Sequence, residues 1–384
     1  MSLKLAKYLA VRGVSVAVSL LIAILLVALV SNLGGRLDEF LFNEIKTSIN
    51  NQFIDENFRK QVDSYCEVWC KLILGENTTD VDLRNCLTRC RDEYVVNETL
   101  RIMREQYGID IDQPVLLRIF GHWVRAISLN LGQARFLHSY HTRQRDVKTI
   151  IAEALPQTVL LFTTANIIIF AINLALGLSL SRRYGKTIDK LAVSLAPLSS
   201  MPGWFYGLIL LVVFGIWLRI LPDGGMMSTH PPENVLLRGL DVIYHMILPI
   251  LSWMVAYIPI GTYSYRTFFL IFSTEEYVEY ARVRGVPERM IQRRYILRPT
   301  LPPIITSFVL MLIGSWMGAI ITERIFRWPG LGTVLYNAIG GGANIDVPVV
   351  VGIMTIYAYL LAISVLLLDI IYAVIDPRVR VGGE

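Results

Sequence analysis

The chain has 384 residues, 54% of them hydrophobic and 17% charged, with a mean hydropathy of +0.51. That balance excludes an ordinary soluble domain, in which about a quarter of the residues are charged. The formal net charge of +5 is carried in loops between apolar runs, so it reports topology and lipid headgroups rather than nucleic acid.

Six apolar runs are long enough to cross about 30 Å of hydrocarbon as helices. They lie near Val14–Leu33, Thr158–Leu180, Leu191–Leu221, His245–Leu270, Leu301–Thr322 and Pro348–Ile375. The pattern predicts an all-α membrane protein with six transmembrane helices. Pro197 and Pro202 predict a kink or break in the overlong third run. Lys4, Lys7 and Arg12, then Arg182, Arg183, Lys186 and Lys190, then six arginines from Arg282 to Arg298, and finally Arg378 and Arg380 fall on one side. By the positive-inside rule both termini are cytoplasmic, in the cell membrane, and the first run is an uncleaved span. Residues 1–34 are then the N-terminus and first helix, 35–150 an extracytoplasmic domain, and 151–384 a five-helix core.

In the external segment, Leu37, Leu41, Ile45, Ile49 and Phe53 repeat every four residues, the period of an amphipathic helix that packs on its neighbours or lies at the membrane interface. All four cysteines follow, as two Cys-x-x-x-Cys pairs that each share a helix face. Two antiparallel helices across residues 64–92, joined by the turn-rich Gly75–Asp80, would set Cys66 opposite Cys90 and Cys70 opposite Cys86. An oxidising exterior favours disulfides there. A four-cysteine zinc site is the rival, although structural zinc usually takes closer pairs. Asn77 and Asn97 head the two glycosylation triplets of the chain.

Further on, Tyr184-Gly185-Lys186-Thr187 looks like the end of a phosphate loop but has Leu180 where the first glycine belongs. No nucleotide site, catalytic triad or metal-ligand cluster emerges, and His122, His138, His141, His230 and His245 lack acidic partners in a zinc-protease pattern. The motifs point to no enzyme and to no cofactor or metal held by this chain. Within the spans Asn166, Asn173, Glu323 and Asp369 are the costly polar residues, candidates for a pathway or for helix packing. Trp328-Pro329-Gly330 reads as a rigid turn at the outer mouth, able to meet a partner or to anchor the interface.

The most telling stretch is 273–300, a charged helix-turn-helix between two apolar runs. Ser273 and Glu276 are spaced as a capping box, Gly285 suits a left-handed stop, Pro287 suits the first turn of the next helix, and Pro299 limits it. The order Glu279-Tyr280-Ala281, Gly285, Leu297-Arg298-Pro299 resembles the coupling loop of ABC-importer permeases. Tyr107–Pro114 with Trp123, Ser200-Met201-Pro202-Gly203-Trp204-Phe205, Thr322–Gly332 and Asp376-Pro377-Arg378 are similar to segments of the dipeptide/oligopeptide permease subunits. The resemblance spans residues 1–34 and about 95–384, leaving the cysteine hairpin as an insertion.

The resemblance implies a type I importer permease fold and an ATP-driven, binding-protein-dependent importer for peptides or related solutes such as oligosaccharides. It also implies partners: a second permease subunit, two ATPase subunits that hold ATP and magnesium, and an extracytoplasmic solute-binding protein. Glu279, Tyr280 and Ala281 would enter the ATPase groove, Gly285 would set the turn, and Ile291 and Tyr295 would tie the second helix to the membrane. A secondary transporter or channel subunit is the alternative. It would call for internal repeats and a charged midplane site.

Overall fold

A computed structural model describes residues 3–32, 36–74, 80–105, 110, 113–316, 320–340 and 345–375. Asn77, Asp376–Arg380 and the side chains of Lys4, Lys7, Leu37 and Leu41 lie outside the described part. Among the described residues the secondary structure is helical, apart from one isolated bridge between Gln133 and Asp146. Helix α1 (Leu3–Asn32) is followed by α2 (Arg36–Gln52), α3 (Glu56–Leu74), α4 (Asp80–Glu105) and α5 (Val115–Ile127). Then come α6 (Val147–Ser181), α7 (Thr187–Ser194), α8 (Gly203–Leu210) and α9 (Val235–Ser273). The chain ends with α10 (Glu276–Val283), α11 (Glu288–Met290), α12 (Arg298–Trp316), α13 (Ile320–Ile325), α14 (Leu331–Gly340) and α15 (Val347–Ile375).

Five helical stretches are long and apolar enough to span a membrane: Ala10–Ser31, Val147–Ser181, Val235–Ser273, Glu288–Trp316 and Val347–Ile370. The sixth expected span is broken. Thr187–Ser200 and Gly203–Trp217 meet at 92°, where Pro197 and Pro202 remove backbone donors. One contact reaches across from the break: the Ser199 hydroxyl accepts the N–H of Ile260, next to Pro259 of α9 (3.1 Å). Helix α8 is then prolonged by a wide π-type turn, Leu211–Trp217.

Two spans start earlier than the apolar runs suggest. Helix α6 begins at Val147 rather than Thr158, because Asp146 caps it by accepting the Thr149 N–H (2.9 Å). Its first turns bury Val147, Ile150, Ile151 and Ala154 against α14 and α15 while Lys148 stays exposed. Helix α9 begins at Val235 rather than His245, with Asn234 accepting the Leu236 N–H (2.8 Å). Polar residues on one face hid both starts from a hydropathy reading.

The four cysteines are joined as Cys66–Cys90 and Cys70–Cys86, with Cα atoms 5.7 and 6.0 Å apart. Helices α3 and α4 therefore run antiparallel, and Ile45 and Ile49 of α2 bury against Val95 and Met103 of α4. The four-residue repeat thus packs on the hairpin helix. Asn97 lies within α4, and the Thr99 hydroxyl of its triplet is buried, donating to the Val95 carbonyl (2.6 Å). A helical triplet with a buried hydroxyl is not the surface loop that a glycosylation acceptor needs.

Helix α5 departs from the expected external domain. Its Trp123 indole donates to the carbonyl of Leu21, inside the first span (2.9 Å), and Tyr359 of α15 donates to the carbonyl of Ile127 (2.6 Å). Exposed Leu116, Phe120 and Val124 fit a helix that lies along α1 in lipid.

Candidate functional site

The corner expected from the charged stretch 273–300 follows α9 directly. Thr274 caps that helix, and Glu275 is the N-cap of α10. The expected capping box does not form: the Ser273 hydroxyl donates back to the Leu270 carbonyl (2.7 Å), inside the last turn of α9. Glu276 and Glu279 sit in the first turn of α10 and Arg282 in its last, the polarity the helix dipole favours.

The end of α10 is a Schellman stop. Gly285 adopts φ +74°, its N–H bonds the Arg282 carbonyl (2.9 Å), and the Val286 N–H bonds that of Ala281 (3.1 Å). Val286 and Ala281 also join the same apolar cluster, the contact that accompanies this motif. A Cβ on Gly285 would meet nothing within 4 Å, so the demand for glycine is conformational alone.

The two faces of α10 differ sharply. Val278 and Ala281 bury against Phe269 of α9, Ile291, Ile296 and Ile304. On the outer face Glu279 is exposed, Tyr280 is 58% exposed and Val283 82%. The Arg284 guanidinium lies 4.5 Å from the centre of the Tyr280 ring. Burial and the Glu275 carboxylate push the Tyr277 phenol above its ordinary range. Ala281 is thus corrected from a groove-inserting residue to an inward one, because its small side chain lets α10 close on Ile291.

Ile291 is fully buried and Tyr295 half-buried in the same cluster, beside Phe170, Leu174 and Tyr265. Arg289 and Arg293 stay exposed. Pro299 does not limit the second helix. The backbone loosens into a π-type turn at Ile291–Leu297 and continues through α12 to Trp316. Widening the turn spares the carbonyls that a proline ring would otherwise strike.

The polar residues of the spans are mostly joints. Asn166 is buried and donates to the Ser315 hydroxyl of α12 (2.7 Å). Asn173, on the same face of α6, meets α9 instead, accepting from the Thr262 hydroxyl (2.9 Å) and donating to the Tyr257 carbonyl (3.4 Å). Asp369 near the end of α15 lies 3.6 Å from Arg12 of α1. Glu323 is wholly buried and accepts from the Thr158 hydroxyl (2.7 Å) and the Thr333 N–H (3.0 Å). It locks α13 to α6 and to the start of α14.

At the outer turn Trp328 is fully buried beside Leu161 and Phe162, and its indole donates to the Gln157 carbonyl (2.9 Å). Gly330 is buried where the Thr158 hydroxyl and the Glu323 carboxylate converge, leaving no room for a Cβ. Pro329 alone of the three is exposed. Of the two roles open for Trp328 the structure favours anchoring: the ring is spent on the chain's own core.

Sequence reasoning passed over the strongest polar contact. Asp189 of α7 is buried and pairs with Arg266 of α9 through two bonds, Nη2 to Oδ2 being 2.6 Å. The Tyr184 ring lies 5.1 Å below that guanidinium, and the Gly185 N–H also reaches Asp189 (2.9 Å). An arginine inside an apolar run demands a partner, and that was the available signal.

Residues 173–381 match the family described as binding-protein-dependent transport system inner membrane component. The chain is similar to the oligopeptide transport system permease protein AppB of Bacillus subtilis, 30% identical over 72% of this chain and 83% of that one. It is also similar to the dipeptide transport system permease protein DppB of Lactococcus lactis, 26% identical over 74% and 86% of the two chains. A chain of the solved MetNI methionine ABC transporter aligns with 59% of this one and 96% of its own length, at 14% identity and a TM-score of 0.46. With a family match over more than half its length and a relative 30% identical across most of both sequences, the chain belongs to the binding-protein-dependent transport system inner membrane components, among the ABC-importer permeases of dipeptide/oligopeptide type.

Proposed function

We propose that this chain forms half of the translocation pathway of an ATP-driven importer of peptides, coupled through α10 to a separate ATPase subunit. The observation that carries the reading is the two-faced α10. One face is built into the membrane core, and the other presents Glu279, Tyr280 and Val283 to a partner. Gly285 fixes the angle between that helix and α11, while Ile291 and Tyr295 join the corner to α6 and α9. Motion of a docked ATPase thus has a direct route into two spans.

The relatives are named for oligopeptides and dipeptides, and this favours peptide cargo over oligosaccharides. A second permease subunit, two ATPase subunits carrying ATP and magnesium, and an extracytoplasmic binding protein complete the machine. Both termini and the coupling corner face the cytoplasm, as the basic loops require. The chain itself catalyses nothing. A secondary transporter has no use for a cytoplasmic helix that presents Glu279, Tyr280 and Val283 outward.

Val283→Glu tests the coupling role without touching the core. A charge buried at a central hot spot costs about 2 kcal/mol or more, so ATPase subunits should copurify roughly 10- to 100-fold less well. The melting temperature of the isolated permease should hold. Unchanged ATPase binding and unchanged uptake in reconstituted vesicles would rule out α10 as the coupling contact.

A further inference from the structure

Between α5 and α6 the chain folds into a small hairpin. The Ala134 N–H bonds the Arg145 carbonyl (2.6 Å), and the Ser139 N–H bonds the Gln144 carbonyl (2.8 Å). Two carboxylates, one from α6 and one just ahead of α15, hold it from beneath. Asp346, just ahead of α15 and buried, accepts the N–H groups of Arg135 (3.0 Å), Phe136 (2.9 Å) and Leu137 (3.1 Å). Glu153 of α6 accepts the Ser139 hydroxyl (2.6 Å) and the Tyr140 N–H (2.9 Å). Hydrogen bonds to an ionised acceptor are about twice as strong as neutral ones, so the hairpin is set before anything meets it.

What it presents outward has one sign. Arg143, Arg145 and Lys148 are exposed, as are His138, His141 and the ring of Tyr140, which is 85% exposed. The one acid between residues 133 and 148 is Asp146, which caps α6 through the Thr149 N–H and hydroxyl (2.9 and 2.7 Å). The acids near the hairpin therefore bind backbone, while Arg143, Arg145 and Lys148 face solvent and Arg135 alone of its cations is buried. Ala134 of the hairpin packs in one cluster with Leu331 and Leu335 of α14, directly after the Trp328 turn. The patch thus stands at the same end of the bundle as the outer mouth.

We propose that this hairpin is an electrostatic docking surface for an acidic patch on the extracytoplasmic solute-binding protein. The inference rests on the importer reading and its orientation. It adds which surface the delivering protein meets and by what chemistry. A rigid patch of one charge steers encounter and sets register, and its effect is screened by salt. Tyr140 supplies an aromatic anchor at low entropic cost.

The test uses the complete complex in vesicles of neutral lipid, with the solute-loaded binding protein from the same gene cluster added outside. Binding-protein-stimulated ATP hydrolysis is titrated at low and high salt for the parent, for R143E/R145E/K148E and for R143K/R145K. Charge reversal should raise the half-stimulating concentration roughly 10- to 100-fold at low salt and flatten the salt dependence. Maximal stimulated hydrolysis should survive, and the lysine variant should stay within about twofold of the parent because charge is kept. Equal titrations for the parent and the reversed variant, across salt, would overturn the proposal, as would an effect that follows added anionic lipid instead of binding protein. A parent complex that no binding protein stimulates would overturn the importer reading itself, before any substitution is compared.

Discussion

The membrane core and the external hairpin solve the same problem, holding helices side by side, with opposite materials. In the core, α6 and α9 are surrounded by apolar lipid, so burying leucine against leucine gains little over leaving it exposed. Specific polar joints appear instead: Asn173 to Thr262, Asn166 to Ser315, and Asp189 to Arg266. In the hairpin, α3 and α4 are largely exposed, and their core is one layer of Val62, Leu83, Leu87 and the half-cystines edged by Phe53, Phe58, Trp69 and Tyr94. An apolar patch that small cannot offset chain entropy alone, and covalent links supply the remainder. The contrast predicts that each region responds to a different insult.

The largest effect should come from Asp189→Ala. It strands the Arg266 guanidinium, whose side chain is only 11% exposed, and loss of one partner of a buried pair costs about 3–5 kcal/mol. Detergent-solubilised protein should melt markedly lower. The double variant Asp189→Leu with Arg266→Met should recover most of the loss, since it removes both charges. A single variant as stable as the parent would mean that water already reaches the pair.

Reduction should strike the other region. The bonds close segments separated by 24 and 16 residues, and loops of that size are each stabilised by about 3 kcal/mol. The inner loop lies within the outer one, so the second bond adds less than the first. Dithiothreitol, or Cys66→Ser with Cys90→Ser, should open α3–α4 to protease while the core spans stay protected. Core spans that became cleavable at the same reductant concentration would show that the two regions are not separable.

Gly285→Ala probes the boundary between core and partner. Holding an L-residue at φ +74° costs on the order of 1 kcal/mol. Stability should change by that little, yet ATPase-coupled uptake should fall further, because the angle of α10 is altered. A loss of uptake no greater than the loss of stability would reduce Gly285 to an ordinary helix stop.

Legibility in the sequence followed the same divide. Six spans, the break at Pro197 and Pro202, the cysteine pairing and the Gly285 stop were readable because each rests on local pattern or on residues that few conformations accept. The Asp189–Arg266 pair, the seating of Asp346 under residues 135–137 and the descent of α5 along α1 join segments far apart in sequence, and no local period announces them. The capping box at Ser273 failed for a related reason. Its spacing was right, but α9 ran on through Ser273 and claimed the hydroxyl for its own last turn. Of the two readings open for Trp328, meeting a partner or anchoring, its fully buried ring beside Leu161 and Phe162 of α6 selects the second.

The smallest predicted effect is the most discriminating for the core. Asn173 makes contacts with α9 at 2.9 and 3.4 Å, and interhelical hydrogen bonds in membranes average only about 0.6 kcal/mol. Asn173→Ala should therefore lower stability slightly, and Thr262→Val should do the same. The double variant should cost less than the sum, since either change alone already breaks the shared bond. Geometry adds a second consequence. A Cβ on Gly261 would collide with the Asn173 side chain, so Gly261→Ala should be costly in the parent and cheaper beside Asn173→Ala. That rescue, measured as a double-mutant cycle on thermal unfolding in detergent, would show that Asn173 acts as a spacer fixing the distance between α6 and α9 as much as a hydrogen-bonding group. An additive cycle would leave it a hydrogen bond alone.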